Sequence, residues 1–141
     1  MSESDIIVVA EDDFYRVEVH EKPSLLYVHW KCHLEGDILK DKFLMLLKLI
    51  DKFKPERWLG NAKATYYTTI QDARWLLEEF IPVLVKSSVL RYARVETANS
   101  LLLLDSLNLQ EKLRSRPPIH SETFEFRYFT DEAQAYTWLT A

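Results

Sequence analysis

A chain of 141 residues, 48% of them hydrophobic and 13% aromatic, suits one domain built on one core. Its net charge of −4 and pI near 5.6 argue against a broad electrostatic grip on nucleic acid. Gly36 and Gly60 are the only glycines, which excludes both the dinucleotide fingerprint and the Walker phosphate loop.

Cys32 is the single cysteine, so no intrachain disulfide can form. The opening MSESDIIVVAEDD has neither a basic region nor a long apolar run, so no secretory signal is expected. No stretch approaches the roughly 20 apolar residues of a membrane span. The expected location is a reducing cytoplasm.

Along the chain, Asp5–Ala10 is a short β-branched run that ends in an acidic turn. Phe14–His20 alternates: Tyr15, Val17 and Val19 fall on one face, Arg16, Glu18 and His20 on the other, which predicts a half-buried strand. Ser24–His33 is apolar on both faces, as a more central strand would be. The tight Glu21-Lys22-Pro23 link makes these two strands an antiparallel hairpin. Asp37 is placed to cap a helix over Ile38–Lys54, with Leu39, Phe43, Leu46, Leu47 and Ile50 on the inner stripe and Leu44 on the polar side. Pro55 ends that helix.

The strand Glu56–Asn61 follows, then a loop over Lys63–Thr69. A helix is expected over Gln71–Ser87, with a capping box between Thr68 and Gln71. Its predicted inner stripe is Ala73, Leu76, Leu77, Phe80, Val83 and Leu84. Trp75 falls outside that stripe, and Pro82 predicts a kink or a break one turn earlier. Leu90–Thr97 alternates as a strand, and the leucine-rich Asn99–Ser115 reads as a helix. In Glu122–Phe129, Phe124, Phe126 and Tyr128 share one face and polar residues the other, which suggests a sheet edge. Thr130-Asp131 caps a last helix, Glu132–Thr140. Alternating βα units call for parallel pairing, with Glu56–Asn61 between Ser24–His33 and Leu90–Thr97.

This order resembles the STAS domain, the SpoIIAA-like fold of anti-sigma-factor antagonists. Three segments carry the resemblance: PERWLGNA (Pro55–Ala62), DARWLLEEFIPVL (Asp72–Leu84) and FRYFTDEAQAYTWL (Phe126–Leu139). It implies a single α/β domain over residues 1–141, with a mixed, mostly parallel sheet, an N-terminal β-hairpin and helices packed on it. It also implies a small bacterial protein that regulates by binding protein and not by catalysis. In phospho-regulated members the central strand leads to an Asp-Ser-Ser-Gly-type segment whose serine is phosphorylated. Here Asn61–Thr69 reads NAKATYYTT, with no serine and no glycine. Thr68 or Thr69 holds the helix-start position, where phosphate would meet free N–H groups, yet N-cap preference alone accounts for both.

No catalytic motif is present, so no enzyme, cofactor or metal is expected. His29, Cys32 and His33 are close in sequence, but His29 and His33 would share one strand face and Cys32 the other, short of the convergent set zinc needs. In open α/β sheets ligands gather outside the carboxyl ends of the strands. The expected partner-binding residues are therefore Asn61, Tyr66, Tyr67, Thr68, Thr69 and Trp75, engaging a protein partner or a second copy as a homodimer. The alternative is a small carrier of apolar ligands similar to CRAL-TRIO domains, its pocket lined by the leucine-rich helix.

Overall fold

The computed structural model describes residues 5–98, 101, 108–113 and 123–141. Period-two alternation becomes strand wherever the sequence shows it. Strand β2 (Tyr15–His20) buries Tyr15, Val17 and Val19, and β3 (Leu25–Trp30) pairs antiparallel with it. The β-branched run also joins the sheet. As β1 (Ile6–Glu11) it pairs antiparallel with β2, with a bulge between Val8 and Ala10. The N-terminal hairpin is thus part of a three-stranded meander. Strands β4 (Arg57–Asn61), β5 (Arg91–Val95) and β6 (Glu125–Phe129) add in parallel, giving the order β1-β2-β3-β4-β5-β6. Strand β4 lies between β3 and β5, and β6 lies at an edge, as its polar face implies.

Helix α1 (Gly36–Phe53) buries Leu39, Leu46 and Ile50, packs Phe43 and Leu47 on the same core, and leaves Leu44 exposed. It begins before Asp37, which lies in its first turn, and the cap position is Glu35, whose side chain makes no capping bond. At the other end Lys54 turns left-handed (φ 50°) ahead of Pro55, and its N–H donates to the Ile50 carbonyl at 2.8 Å.

The second helical segment starts as α2 (Ile70–Trp75), widens into a π-turn over Leu76–Phe80, and continues as α3 (Ile81–Leu84). The break falls one turn before Pro82, which lacks an N–H and whose ring crowds the carbonyl four residues back. The wider turn shifts the inward set by one residue. Phe80, Ile81 and Leu84 are buried, whereas Val83, predicted to face inward, is 51% exposed. Residues 108–113 form α4, which places Leu109 and Leu113 in the same core. The remainder of the predicted Asn99–Ser115 helix lies outside the described residues, apart from Leu101.

The sheet separates two apolar layers. On one face α1 through α4 close over Val17, Val28, Trp58, Tyr92 and Phe126. On the other, α5 (Glu132–Leu139) sets Ala135 and Leu139 on Leu25, Leu59, Ala93 and Val95. Asp131 caps α5 by accepting the Gln134 N–H at 3.2 Å. Arg57 and Arg91 donate to the carbonyls of Leu139 and Trp138 at its far end (2.8 and 2.7 Å), where cations suit the dipole.

Helix α5 packs on β4, β5 and β6, so the outer face of β2 and β3 carries polar groups. There Glu18 accepts from Arg16 Nε at 3.2 Å and meets His20 Nε2 at 3.2 Å and His29 Nε2 at 3.5 Å. Burial holds His29 below the ordinary imidazole range against the pull of Glu18. Glu132 adds a second carboxyl whose Oε1 is buried without a hydrogen-bond partner. Burial first, and the Glu18 charge second, raise its pKa. A carboxyl whose folded pKa exceeds its unfolded value destabilises the fold when ionised, and the loss is recovered as pH falls through the folded pKa. Glu132→Gln should therefore stabilise the protein at pH 7, by under about 1 kcal/mol because solvent still screens the group, and add nothing near pH 4. Thermal melts at the two pH values check this. A lower melting temperature at pH 7 would contradict it.

Candidate functional site

The carboxyl ends of β3 and β4 carry the loops that build the site. Strand β3 stops at Trp30, so His33 leaves the sheet and does not share a face with His29. Cys32 Sγ lies 4.0 Å from the Asp13 carbonyl. The three residues diverge, and among the described residues no group of three metal-binding side chains forms.

After β4, Asn61 Oδ1 accepts the Lys63 N–H at 3.1 Å, folding the chain back on itself. The Ala62 N–H extends the parallel pairing to the Val95 carbonyl at 2.8 Å, and the Thr65 N–H closes a turn on Ala62 at 3.0 Å. The next residue docks on His33, whose Nδ1 accepts the Tyr66 N–H at 3.3 Å. The imidazole meets both tyrosine rings, with centroids 5.7 Å from Tyr66 and 4.4 Å from Tyr67. With Nδ1 accepting, the ring proton sits on Nε2, which faces Glu35 Oε2 at 3.6 Å. Glu35 also accepts from the Tyr67 hydroxyl; its charge and that hydrogen bond raise the phenol's pKa. The loop is therefore held by side chains from the β3–α1 connection.

Thr69 is the N-cap of α2, its Oγ1 accepting the Asp72 N–H at 3.1 Å. The predicted pairing of Thr68 with Gln71 is displaced by one residue. Asp72 is only 3% exposed, and its Oδ2 accepts the Gly36 N–H at 3.0 Å. It thereby caps α1 from a neighbouring helix.

Thr68 is half-buried and lines two adjoining cavities beneath the loop, together with Phe43, Leu76, Tyr92 and Arg94. Arg94 lies over the Tyr92 and Phe126 rings at 5.8 and 5.3 Å, and its Nη1 is 3.7 Å from Glu96, a carboxylate 2% exposed. Each cavity is about 40 Å³, room for a few water molecules. An apolar-ligand site takes roughly 300 Å³ or more.

Of the six predicted residues, Tyr66 (62% exposed) and Tyr67 (40%) present their rings to solvent. Trp75 does not. It is half-buried, packs against the main core and stacks on Phe80 at 6.5 Å. The π-turn that follows it defeats the helical-wheel argument that placed it outside. Sequence reasoning missed Ile70, 80% exposed at the helix start, and Leu101, 64% exposed, whose N–H donates to the Tyr66 carbonyl at 3.0 Å. Beside Ile70 an open groove of about 390 Å³ runs past Arg74 and Leu77 to Lys112. The signal for Ile70 was available: an isoleucine directly after a threonine cap occupies a first-turn position that needs no burial.

This arrangement of three antiparallel and then parallel strands, with helices on both faces and loops gathered at the strand ends, is a SpoIIAA-like fold. Two solved structures share it. One is an uncharacterized protein of the DUF3478 family with a SpoIIAA-like fold from Shewanella loihica PV-4, at 15% identity and TM-score 0.57, covering 99% of this chain and 98% of that one. The other is an anti-sigma factor antagonist from Mycobacterium paratuberculosis, at 11% identity and TM-score 0.54, with the same coverage of 99% and 98%. Both come from bacteria. No family model and no curated protein matches the chain. Among the described residues no helix is long and apolar enough to cross a membrane.

Proposed function

We propose that this domain is a non-enzymatic regulatory module of the cytoplasm that binds a protein partner through Tyr66, Tyr67 and Ile70. The observation that carries the reading is the exposure of these apolar side chains, with Ile70 at 80%, on a loop held in place at the carboxyl ends of the central strands. Aromatic residues offer large contact area at low entropic loss, which suits an interface centre. The adjoining groove, lined by Arg74, Lys112 and Glu78, fits a partner with an apolar anchor and a polar, mixed-charge rim. A solved neighbour in fold is named an anti-sigma factor antagonist, and a protein of that name acts on another protein. Trp75 and Thr69 support the surface from within. Asn61–Thr69 holds no serine, so this reading places no phosphoserine switch on that loop.

The test is affinity capture from source-cell extract with the wild type and a Tyr66→Ala/Ile70→Asp variant. The captured protein is then purified and titrated against both. Both side chains are exposed, so the variant should keep its circular dichroism and melting temperature. Binding should weaken about thirtyfold or more, the effect of losing about 2 kcal/mol at an interface centre. Equal capture and equal affinity would remove this surface from consideration.

A further inference from the structure

Among the described residues strand β1 is an unguarded edge. No strand among them lies beyond it, and its centre, Ile6-Ile7-Val8-Val9, holds no charge and no proline. Natural edges are usually protected by such residues. At the other edge β6 carries Glu125 and Arg127. Ile7 and Val8 are 46% and 44% exposed.

The hydrogen-bond phase of β1 says which backbone groups face outward. The Glu21 N–H donates to the Asp5 carbonyl at 3.0 Å, which makes Asp5 and Glu21 a hydrogen-bonded pair. Antiparallel pairs alternate, so Ile7 and Val19 form the next such pair and the Ile7 backbone is occupied by β2. The backbone groups of Ile6 and Val8 point outward.

We propose that a second copy of this chain pairs antiparallel with β1 about a twofold axis at Ile7, joining two six-stranded sheets into one. In this register Ile6 and the partner's Val8 exchange hydrogen bonds, and Ile7 faces the partner's Ile7. Asp5 falls opposite the partner's Val9, so within Asp5–Val9 no like charges are opposed. Glu11 is already paired with Lys31 at 3.0 Å and Arg16 at 4.0 Å.

Helix α1 supplies a second strip of contact. Its Lys42 pairs with Asp12 and lies over the Phe14 and Tyr15 rings at 5.2 and 4.9 Å, which turns that flank toward the β1–β2 loop. Met45 and Leu49 follow on the same flank, one and two turns further. The opposite flank, with Leu47 and Lys54, faces Pro82 and Val83. Met45, 43% exposed, and the half-buried Leu49 thus lie on the flank of α1 turned toward the β1–β2 loop, and α1 covers the face of the sheet that Ile7 shares with Val19. Twofold pairing brings Ile7, Met45 and Leu49 of two copies together and removes them from water. An isologous strand satisfies both the backbone and this apolar strip, which is why the occupant assigned is a second copy.

Three variants test the proposal. Wild type should sediment at the dimer mass at tens of micromolar. Val8→Pro removes an outward amide only, so it should keep its circular dichroism and sediment as a monomer. In a Cys32→Ser background, Ile7→Cys should form a disulfide-linked dimer on mild oxidation, because directly opposed residues of a non-hydrogen-bonded pair bring their Cα atoms within disulfide reach. Val8→Cys in the same background should not. A monomeric wild type, a dimeric Val8→Pro, or crosslinking of Val8→Cys as complete as that of Ile7→Cys would each overturn it.

Discussion

Trp58→Ala should remove about 3–5 kcal/mol of stability, the cost of emptying a large aromatic site in a packed core. Trp58 is 0% exposed, stacks on Tyr92 with centroids 3.9 Å apart and planes at 8°, and meets Phe80 edge-on at 5.8 Å. Little can move in to fill the void. The ring shares its face of β4 with Gly60, where even an added methyl group would stand 3.4 Å from Tyr92. Against a total of roughly 5–15 kcal/mol, such a loss leaves the domain marginal. Trp58→Phe should cost clearly less. It leaves a smaller space, and it also deletes the indole Nε1, which is buried without a hydrogen-bond partner. Urea unfolding of the three proteins checks the ranking. Equal losses for Phe and Ala would mean that the indole N–H is satisfied in solution and that a phenyl ring recovers none of the lost packing. Tyr92 also lines the cavities beneath the loop, so the Ala variant should weaken partner binding through the loop's footing.

Asp72→Ala should cost about 2 kcal/mol, the range for a hydrogen bond from a buried backbone donor to a charged acceptor. Helix α1 has no side-chain cap of its own, and Asp72 supplies one from α2 by accepting the Gly36 N–H. The same residue donates its N–H to Thr69. Truncation should therefore loosen the start of α1 and leave Tyr67 and Ile70 less well placed. Asp72→Asn retains an acceptor oxygen and should fall between the two. Melting temperature and the affinity measured in the capture assay should drop together. Unchanged melting for Asp72→Ala would show that the link between the helices carries no stability.

The sheet was largely legible because period-two alternation is a local signal. Tyr15, Val17 and Val19 mark their buried face without reference to anything distant, and Phe124, Phe126 and Tyr128 do the same. Strand order followed from the alternation of elements. The place of β1 did not, because an apolar run of six residues names no partner, and only the meander shows that it pairs with β2. The second helix was misread after its first turn. A wheel with a fixed period cannot anticipate the π-turn before Pro82, and that single widening moved Trp75 inward and Val83 outward. At the site, exposure of the two tyrosines could be anticipated from their place in a loop. The residues that hold the loop could not. His33, Glu35 and Asp72 are ordinary polar residues in sequence, and their roles depend on contacts from 32 to 36 residues away. Arg94 carried a faint signal, since it shares a strand face with Tyr92 in an alternating run.

Helix α5 covers only one half of the sheet, and this sets where the molecule opens first. Strands β4 and β5 lie between two apolar layers, so their amide protons should exchange with solvent only through global unfolding. In a single copy strand β1 pairs with β2 alone and should exchange by fraying. The meander joins residues close in sequence, whereas the parallel strands await long crossovers. The half of the sheet that forms quickly is therefore the half that breathes, and the half that forms slowly keeps the whole closed.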